Sequence, residues 1–76
     1  MYKALVGILV EDLQLDESNV RPDAGPDEAG LDSLAIVELS MLLKTRLQIV
    51  ISDDELLRID TIDGISRLME QRSAAA

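Results

Sequence analysis

A chain of 76 residues with 47% apolar content and neither cysteine nor histidine fits a single domain over residues 1–76 and leaves out disulfides, thiolate nucleophiles, Ser-His dyads and Cys/His zinc sites. Seven bases against fifteen acids give a formal charge of −8, which disfavours nucleic acid, normally bound through basic patches and aromatic stacking, and favours a basic protein surface as partner. Phe and Trp are absent and Tyr2 is the only aromatic residue, so the core is aliphatic, as suits helix-on-helix packing.

The apolar run from Ala4 to Val10 is too short to span a bilayer. Glu11 and Asp12 follow it at once and no small-residue cleavage site appears, so it does not read as a signal peptide. A soluble, cytoplasmic protein is expected. Leu5, Ile8, Leu9 and Leu13 recur at helical spacing, with Glu11, Asp12 and Gln14 off that face, and predict an amphipathic helix over residues 3–15.

From Asp16 to Asp32 the periodicity stops. Ser18, Asn19, Pro22, Gly25, Pro26 and Gly30 punctuate the segment, and Val20 and Leu31 are its obvious apolar anchors. A loop of this length is functional or conceals a turn of helix. Residues 11–32 hold eight acids and one base, Arg21, so a net −7 of the total charge sits there.

Helical spacing returns over residues 33–47, with Asp32 or Ser33 as N-cap. Neither forms a capping box, since the residues three further on are Ala35 and Ile36. This helix has two apolar stripes, Ile36, Leu39, Leu43 and Leu47 on one side and Leu34, Val37 and Met41 on the other, with centres roughly 150° apart. Two readings are open: a central helix buried on both sides, or one stripe in the core and the other left exposed near Ser33 for docking.

Gln48 to Ile51 has no second strand to pair with and reads as an extended connector, with Ile49 or Ile51 plugging the core. Ser52 and Glu55 form a capping box, and Ile51 and Leu56 stand where a hydrophobic staple belongs, so a short helix over residues 53–59 is predicted. Asp60 or Thr61 caps a last helix over residues 61–71, with Ile62, Ile65, Leu68 and Met69 on its apolar face and Gly64 weakening it locally. Ser73 to Ala76 is expected to fray. The fold class is all-α: a four-helix bundle with a long first loop and a short third helix.

The segment Gly30-Leu31-Asp32-Ser33-Leu34, where the acidic loop meets the second predicted helix, resembles the acyl carrier protein family, whose signature is Gly-x-Asp-Ser-Leu at that place. The resemblance continues through Ile36-Val37-Glu38-Leu39 and the capping segment Ile51-Ser52-Asp53-Asp54-Glu55, covering Gly30 to about Ile65. It implies an acyl-carrier-like bundle in which a phosphopantetheinyl transferase moves 4'-phosphopantetheine from coenzyme A onto the hydroxyl of Ser33, and the arm's thiol holds an acyl group as a thioester. It implies access for the transferase at Gly30 and a contact from Asp32 to that enzyme and its metal, beside any capping role. Leu34, Val37, Glu38 and Met41 match the family's recognition helix and are candidates for partner contact.

The residues suit that chemistry. A helix N-terminus favours a phosphodiester, and an arm that brings its own sulfur accounts for a carrier without cysteine. The ring-free core can open to shelter an acyl chain. No metal site and no catalytic residue of the chain's own is expected: a domain this small does not build deep, dry pockets, and the nearest acid-base pair, Glu38 and Lys44, does not converge on the helix. The chain is read as a carrier, not an enzyme, and as a monomer.

Some residues depart from the carriers of general fatty-acid synthesis. Ala29 stands where Leu or Phe is usual, Ala35 where an acid is common and Ser52 where Pro is common, while Lys44 and Arg46 take typically acidic places. A carrier in a specialised polyketide-like or fatty-acid-like biosynthetic pathway is therefore expected, with acyltransferase, ketosynthase or ligase-type partners. Without Pro-rich or Ser-rich ends it is read as free-standing. A peptidyl or aminoacyl carrier is the main alternative, although Asp before Ser is the acyl-type choice; a plain helical adaptor, in which Ser33 only caps, is the other.

Overall fold

The computed structural model describes residues 1–74, and everything regular in them is helical. Helix α1 spans Tyr2–Gly7 and runs on as a π-helix over Ile8–Asp12, where Leu13 N–H donates to Ile8 O at 3.1 Å. The predicted helix over 3–15 thus ends early and changes its winding. Gln14, in the left-handed region at φ 57°, turns the chain, and Leu15 N–H closes back on Leu9 O at 3.0 Å. Leu5, Ile8 and Leu9 are buried, as their spacing requires, while Leu13 is only half-buried.

The segment from Asp16 to Asp32 is more structured than a loop. Asp16 Oδ1 accepts from Ser18 N–H at 2.9 Å and caps a 3-10 turn, Glu17–Asn19. Helix α2, Pro26–Ala29, adds a fifth helix to the predicted four. Pro26 opens it with its fixed φ, Glu28 Oε1 accepts from Gly25 N–H at 3.1 Å, and Gly30 ends it at φ 95°. Ala24 and Ala29 are buried beside the expected anchors Val20 and Leu31. Two backbone bonds, Ile62 N–H to Ala24 O at 2.9 Å and Asp63 N–H to Pro22 O at 3.0 Å, tie this segment to the start of the last helix and satisfy amides its first turn leaves free.

Helix α3, Ser33–Leu47, has the predicted bounds. Ile36, Leu39 and Leu43 are buried in the core, whereas Leu34, Val37 and Met41 are exposed, so the two stripes divide into one inward and one outward face. Gln48, again left-handed at φ 57°, ends the helix, and Ile49 N–H reaches back to Leu43 O at 3.1 Å. Ile49 and Ile51 both enter the core while Val50 points outward, the alternation of extended backbone.

Helix α4, Asp53–Leu57, is two residues shorter than predicted, because the chain leaves α geometry at Arg58. Its start is as expected: Ser52 Oγ accepts from Glu55 N–H at 3.2 Å, and Glu55 Oε2 accepts from Ser52 N–H at 2.9 Å. Helix α5, Ile62–Ala74, outruns the predicted end. Thr61 is its cap, Oγ1 accepting from Gly64 N–H at 3.0 Å. Fraying was expected from Ser73 onward, yet Ser73 and Ala74 are helical; residues 75–76 lie outside the described part. Gly64 is there for space, since a Cβ would stand 2.8 Å from Ile59 Cγ2. The buried residues of all these segments form one aliphatic cluster, in which Leu5, Leu9, Leu39, Leu43, Leu56, Ile62, Ile65 and Met69 are fully enclosed. Among the described residues no helix is long and apolar enough to cross a membrane.

Candidate functional site

Ser33 is the first residue of α3 and is exposed. Three neighbours put it there. Gly30 takes the left-handed turn that ends α2, a conformation that costs other L-residues roughly 1–2 kcal/mol. Leu31 then drops into the core, its N–H donating to Pro26 O at 2.8 Å. With Leu31 inside and the backbone extended at Asp32 (φ −83°, ψ −178°), Asp32 and Ser33 face outward.

Asp32 is the N-cap: its Oδ1 accepts from Ala35 N–H at 2.7 Å, and its carbonyl accepts from Ile36 N–H at 2.9 Å. Ser33 N–H and Leu34 N–H have no backbone partner among the described residues, and the Ser33 hydroxyl makes no hydrogen bond there either. An anionic ester on Ser33 Oγ would therefore meet two free amides at the positive end of a 15-residue helix. The residues present fit a phosphodiester.

An open groove of about 600 Å³ begins at Ser33. Pro26, Asp27 and Glu28 of α2 form one wall, and Leu56, Leu57, Ile59 and Asp60 form the other, with Leu31 and Ile36 beneath. Its rim carries the carboxylates of Asp27, Glu28, Asp32 and Asp60, and no base lines it. No group of three or more metal-ligating side chains occurs among the described residues.

The residues singled out from sequence thus gather in one region. Gly30, Asp32 and Ser33 form the junction, and Leu34, Val37 and Met41, at 68%, 41% and 64% exposure, continue outward along α3 with exposed Glu38 beside them. Of the two bases on that helix, Lys44 is exposed and Arg46 is drawn to Asp12 at 2.9 Å. Sequence reasoning missed the groove walls. The signals for α2 were present, with Pro26 at the first helical position, Glu28 two residues on and Gly30 just past the end; the wall of Leu57, Ile59 and Asp60 had none.

Away from Ser33, Arg72 on α5 ion-pairs with Glu55 on α4 and donates to Val50 O at 2.9 Å. The guanidinium, with the Ser52 N–H as second cause, holds the Glu55 carboxyl down at about 2. This clamp joins the C-terminal helix to the cap that begins α4.

Residues 3–69 match the family model described as the phosphopantetheine attachment site. The chain is 41% identical over 62 residues to acyl carrier protein MbtL of Mycolicibacterium paratuberculosis, covering 80% of this chain and 70% of that protein. It is 30% identical over 73 residues to an acyl carrier protein of Petrotoga mobilis, covering 95% and 86%. Against acyl carrier protein MbtL of Mycobacterium tuberculosis the identity is 41% over 59 residues, covering 76% and 70%. A helical fold, an exposed serine at a helix start and these likenesses agree: the chain belongs to the acyl carrier protein family, whose covalent cofactor is 4'-phosphopantetheine.

Proposed function

We propose that Ser33 is the residue that bears the arm, and that the chain is a carrier without catalysis of its own. The observation that carries this reading is the exposed, unbonded hydroxyl at the first position of α3, beside two free amides and at the mouth of a groove. In the transfer catalysed by a phosphopantetheinyl transferase, Ser33 Oγ would attack the pantetheine-bearing phosphorus of coenzyme A; the diphosphate P–O bond breaks, adenosine 3',5'-bisphosphate leaves, and the hydroxyl gives up its proton as the new phosphodiester forms. The thiol the arm supplies then holds acyl intermediates as thioesters.

The chain's own residues do the rest. Ser33 N–H and Leu34 N–H offer hydrogen bonds to the ester oxygens. Asp32 caps the helix through Oδ1 and has its second oxygen available to the transferase and its metal. Gly30 supplies the left-handed turn that brings Asp32 and Ser33 to the surface where the transferase approaches. Leu34, Val37, Glu38 and Met41 form the surface on which transferase and pathway enzymes alight, an apolar patch with one charge that suits moderate affinity and quick exchange. Lys44 and the absence of acids from α3 beyond Glu38 favour partners of a specialised pathway, of acyltransferase, ketosynthase or ligase type, in the cytoplasm where coenzyme A is available.

The test is incubation with coenzyme A and a broad-specificity phosphopantetheinyl transferase. A mass gain equal to the arm is expected, and none in Ser33→Ala. A well-folded wild-type chain that gains nothing refutes the reading and returns Ser33 to a structural role.

A further inference from the structure

One wall of the groove at Ser33, Leu56 to Asp60, belongs to a segment that puts little into the core. From Ser52 to Asp60, Leu56 is the one buried side chain. Its helix α4 has five residues, too few to stand without outside support. Segments with few buried contacts form the low-stability end of a fold and open by themselves. What fastens this one therefore decides how far the groove can open.

Its two ends are fastened by different means. At the far end the Ile62 and Asp63 amides donate to Ala24 O and Pro22 O at 2.9 and 3.0 Å. There a Cβ at Gly25 would stand 3.3 Å from Asp60 O, so the wall abuts the start of α2. At the near end the carbonyls are held by side chains. Ser40 Oγ donates to Ile51 O at 2.6 Å, and Arg72 donates to Val50 O at 2.9 Å. The same guanidinium also grips both carboxylate oxygens of Glu55, with Oε2 at 3.2 Å, and Oε2 in turn closes the capping box on Ser52 N–H. Arg72 thus holds the connector and the first turn of α4 together, through a planar fork that an ammonium cannot copy.

The same contact orders the helix that supplies it. Met69 is the last fully buried residue of α5, and Glu70, Gln71 and Ser73 are exposed. Besides a long Met1–Glu70 pair at 4.0 Å, Arg72 is what ties this last turn to the body. Both members of the Arg72–Glu55 pair keep 38% of their side-chain surface open to water, so the joint can part without unfolding the core.

We infer that Arg72 is a latch on the groove: when it releases Glu55 and Val50, α4 pivots about its Asp60 end and the groove widens. The state of the C-terminal turn is then coupled to the groove at Ser33. The inference concerns the chain before any arm is attached, and it stands or falls apart from the role of Ser33.

The test is amide hydrogen exchange, followed by NMR on the full chain without the arm, at several urea concentrations below the midpoint. The Leu56 amide, donating to Ser52 O at 3.1 Å, reports on α4, and the Ala29 amide, donating to Gly25 O at 3.1 Å, on the opposite wall. The Leu43 amide reports on the core of α3. In wild type, Leu56 should exchange faster than Leu43 and respond less steeply to urea, the mark of an opening that exposes only part of the chain. Arg72→Ala should speed exchange at Leu56 about fivefold, the scale of a strong but partly exposed ion pair, and leave Ala29 within about twofold. Arg72→Lys keeps the charge, loses the fork and should fall between. Arg67→Ala removes the same charge from α5 by breaking the Arg67–Asp63 pair at 2.9 Å and should leave Leu56 within about twofold. Circular dichroism confirms the fold of each variant.

If Leu56 and Leu43 exchange at one rate with one urea slope, α4 does not open by itself and there is no latch. If Arg72→Ala leaves Leu56 unchanged, or speeds Ala29 as much as Leu56, the clamp only adds to general stability and the inference is overturned. Neither result bears on Ser33, whose modification is read separately by mass.

Discussion

Asp32 carries two roles that substitution can pull apart. Its Oδ1 accepts from Ala35 N–H at 2.7 Å, and the carboxylate also stands at the positive end of α3. Asp32→Ala removes both the cap and the charge. Loss of an N-cap costs about 1 kcal/mol, within a range of about 0.5–2, and a domain of this size moves by about 4–8 °C in Tm for each kcal/mol. Asp32→Asn keeps an oxygen at the capping position and gives up only the charge-dipole attraction, about 0.3–1 kcal/mol at an exposed site in low salt. The expected order of Tm is wild type, then Asn slightly below, then Ala lowest by about 4–8 °C. Arm transfer should rank differently. If the second carboxylate oxygen serves the transferase and its metal, Asp32→Asn loses most of kcat/KM despite a near-native melt. Scanning calorimetry and mass-read kinetics on the same three proteins decide the matter. An Asp32→Ala melt equal to that of wild type would refute the capping geometry, and an Asp32→Asn protein modified at the wild-type rate would confine Asp32 to capping.

Other consequences concern the core and the clamp. Leu39 is fully buried and Leu34 is exposed, so Leu39→Ala should cost about 2–5 kcal/mol, much of what so small a domain has, while Leu34→Ala stays within about 0.5 kcal/mol; equal urea midpoints would contradict the inward and outward faces of α3. Glu55 should titrate at about 2 by NMR, against about 4.3 for a free glutamate. Because its folded value is depressed, the stability it contributes is complete above about pH 4.3 and disappears as pH falls through about 2. Arg72→Ala should raise the titration towards the ordinary range, with the Ser52 N–H bond still holding it partly down, and reduce the acid-labile part of stability in that window. An unchanged Glu55 titration in the variant would refute the clamp.

What the sequence revealed and what it withheld divide along physical lines. The bounds of α3 were legible because an N-cap and a long buried stripe act locally and agree, and the start of α4 because Ser52 and Glu55 satisfy each other within one turn. The π turn at Ile8–Asp12 was not, since winding one residue more per turn leaves the apolar spacing of Leu5, Ile8 and Leu9 intact. Helix α2 is four residues long, too short for periodicity, and only its end signals betray it. The end of α5 was set too early because nothing after Gln71 breaks a helix. The long-range pairs Arg72–Glu55 and Arg46–Asp12 join segments that local reading keeps apart.

One ambiguity of the sequence governs the site. Asp32 and Ser33 are both good N-caps, and a serine that caps turns its oxygen back to accept the amides of its own helix. Because Leu31 is held in the core and Asp32 takes the cap, Ser33 moves to the first helical position, where its hydroxyl has no structural duty. The acid before the serine thus has a function even before any enzyme arrives: it relieves Ser33 of capping. The availability of the hydroxyl is therefore a consequence of which of two adjacent side chains wins the same hydrogen bond.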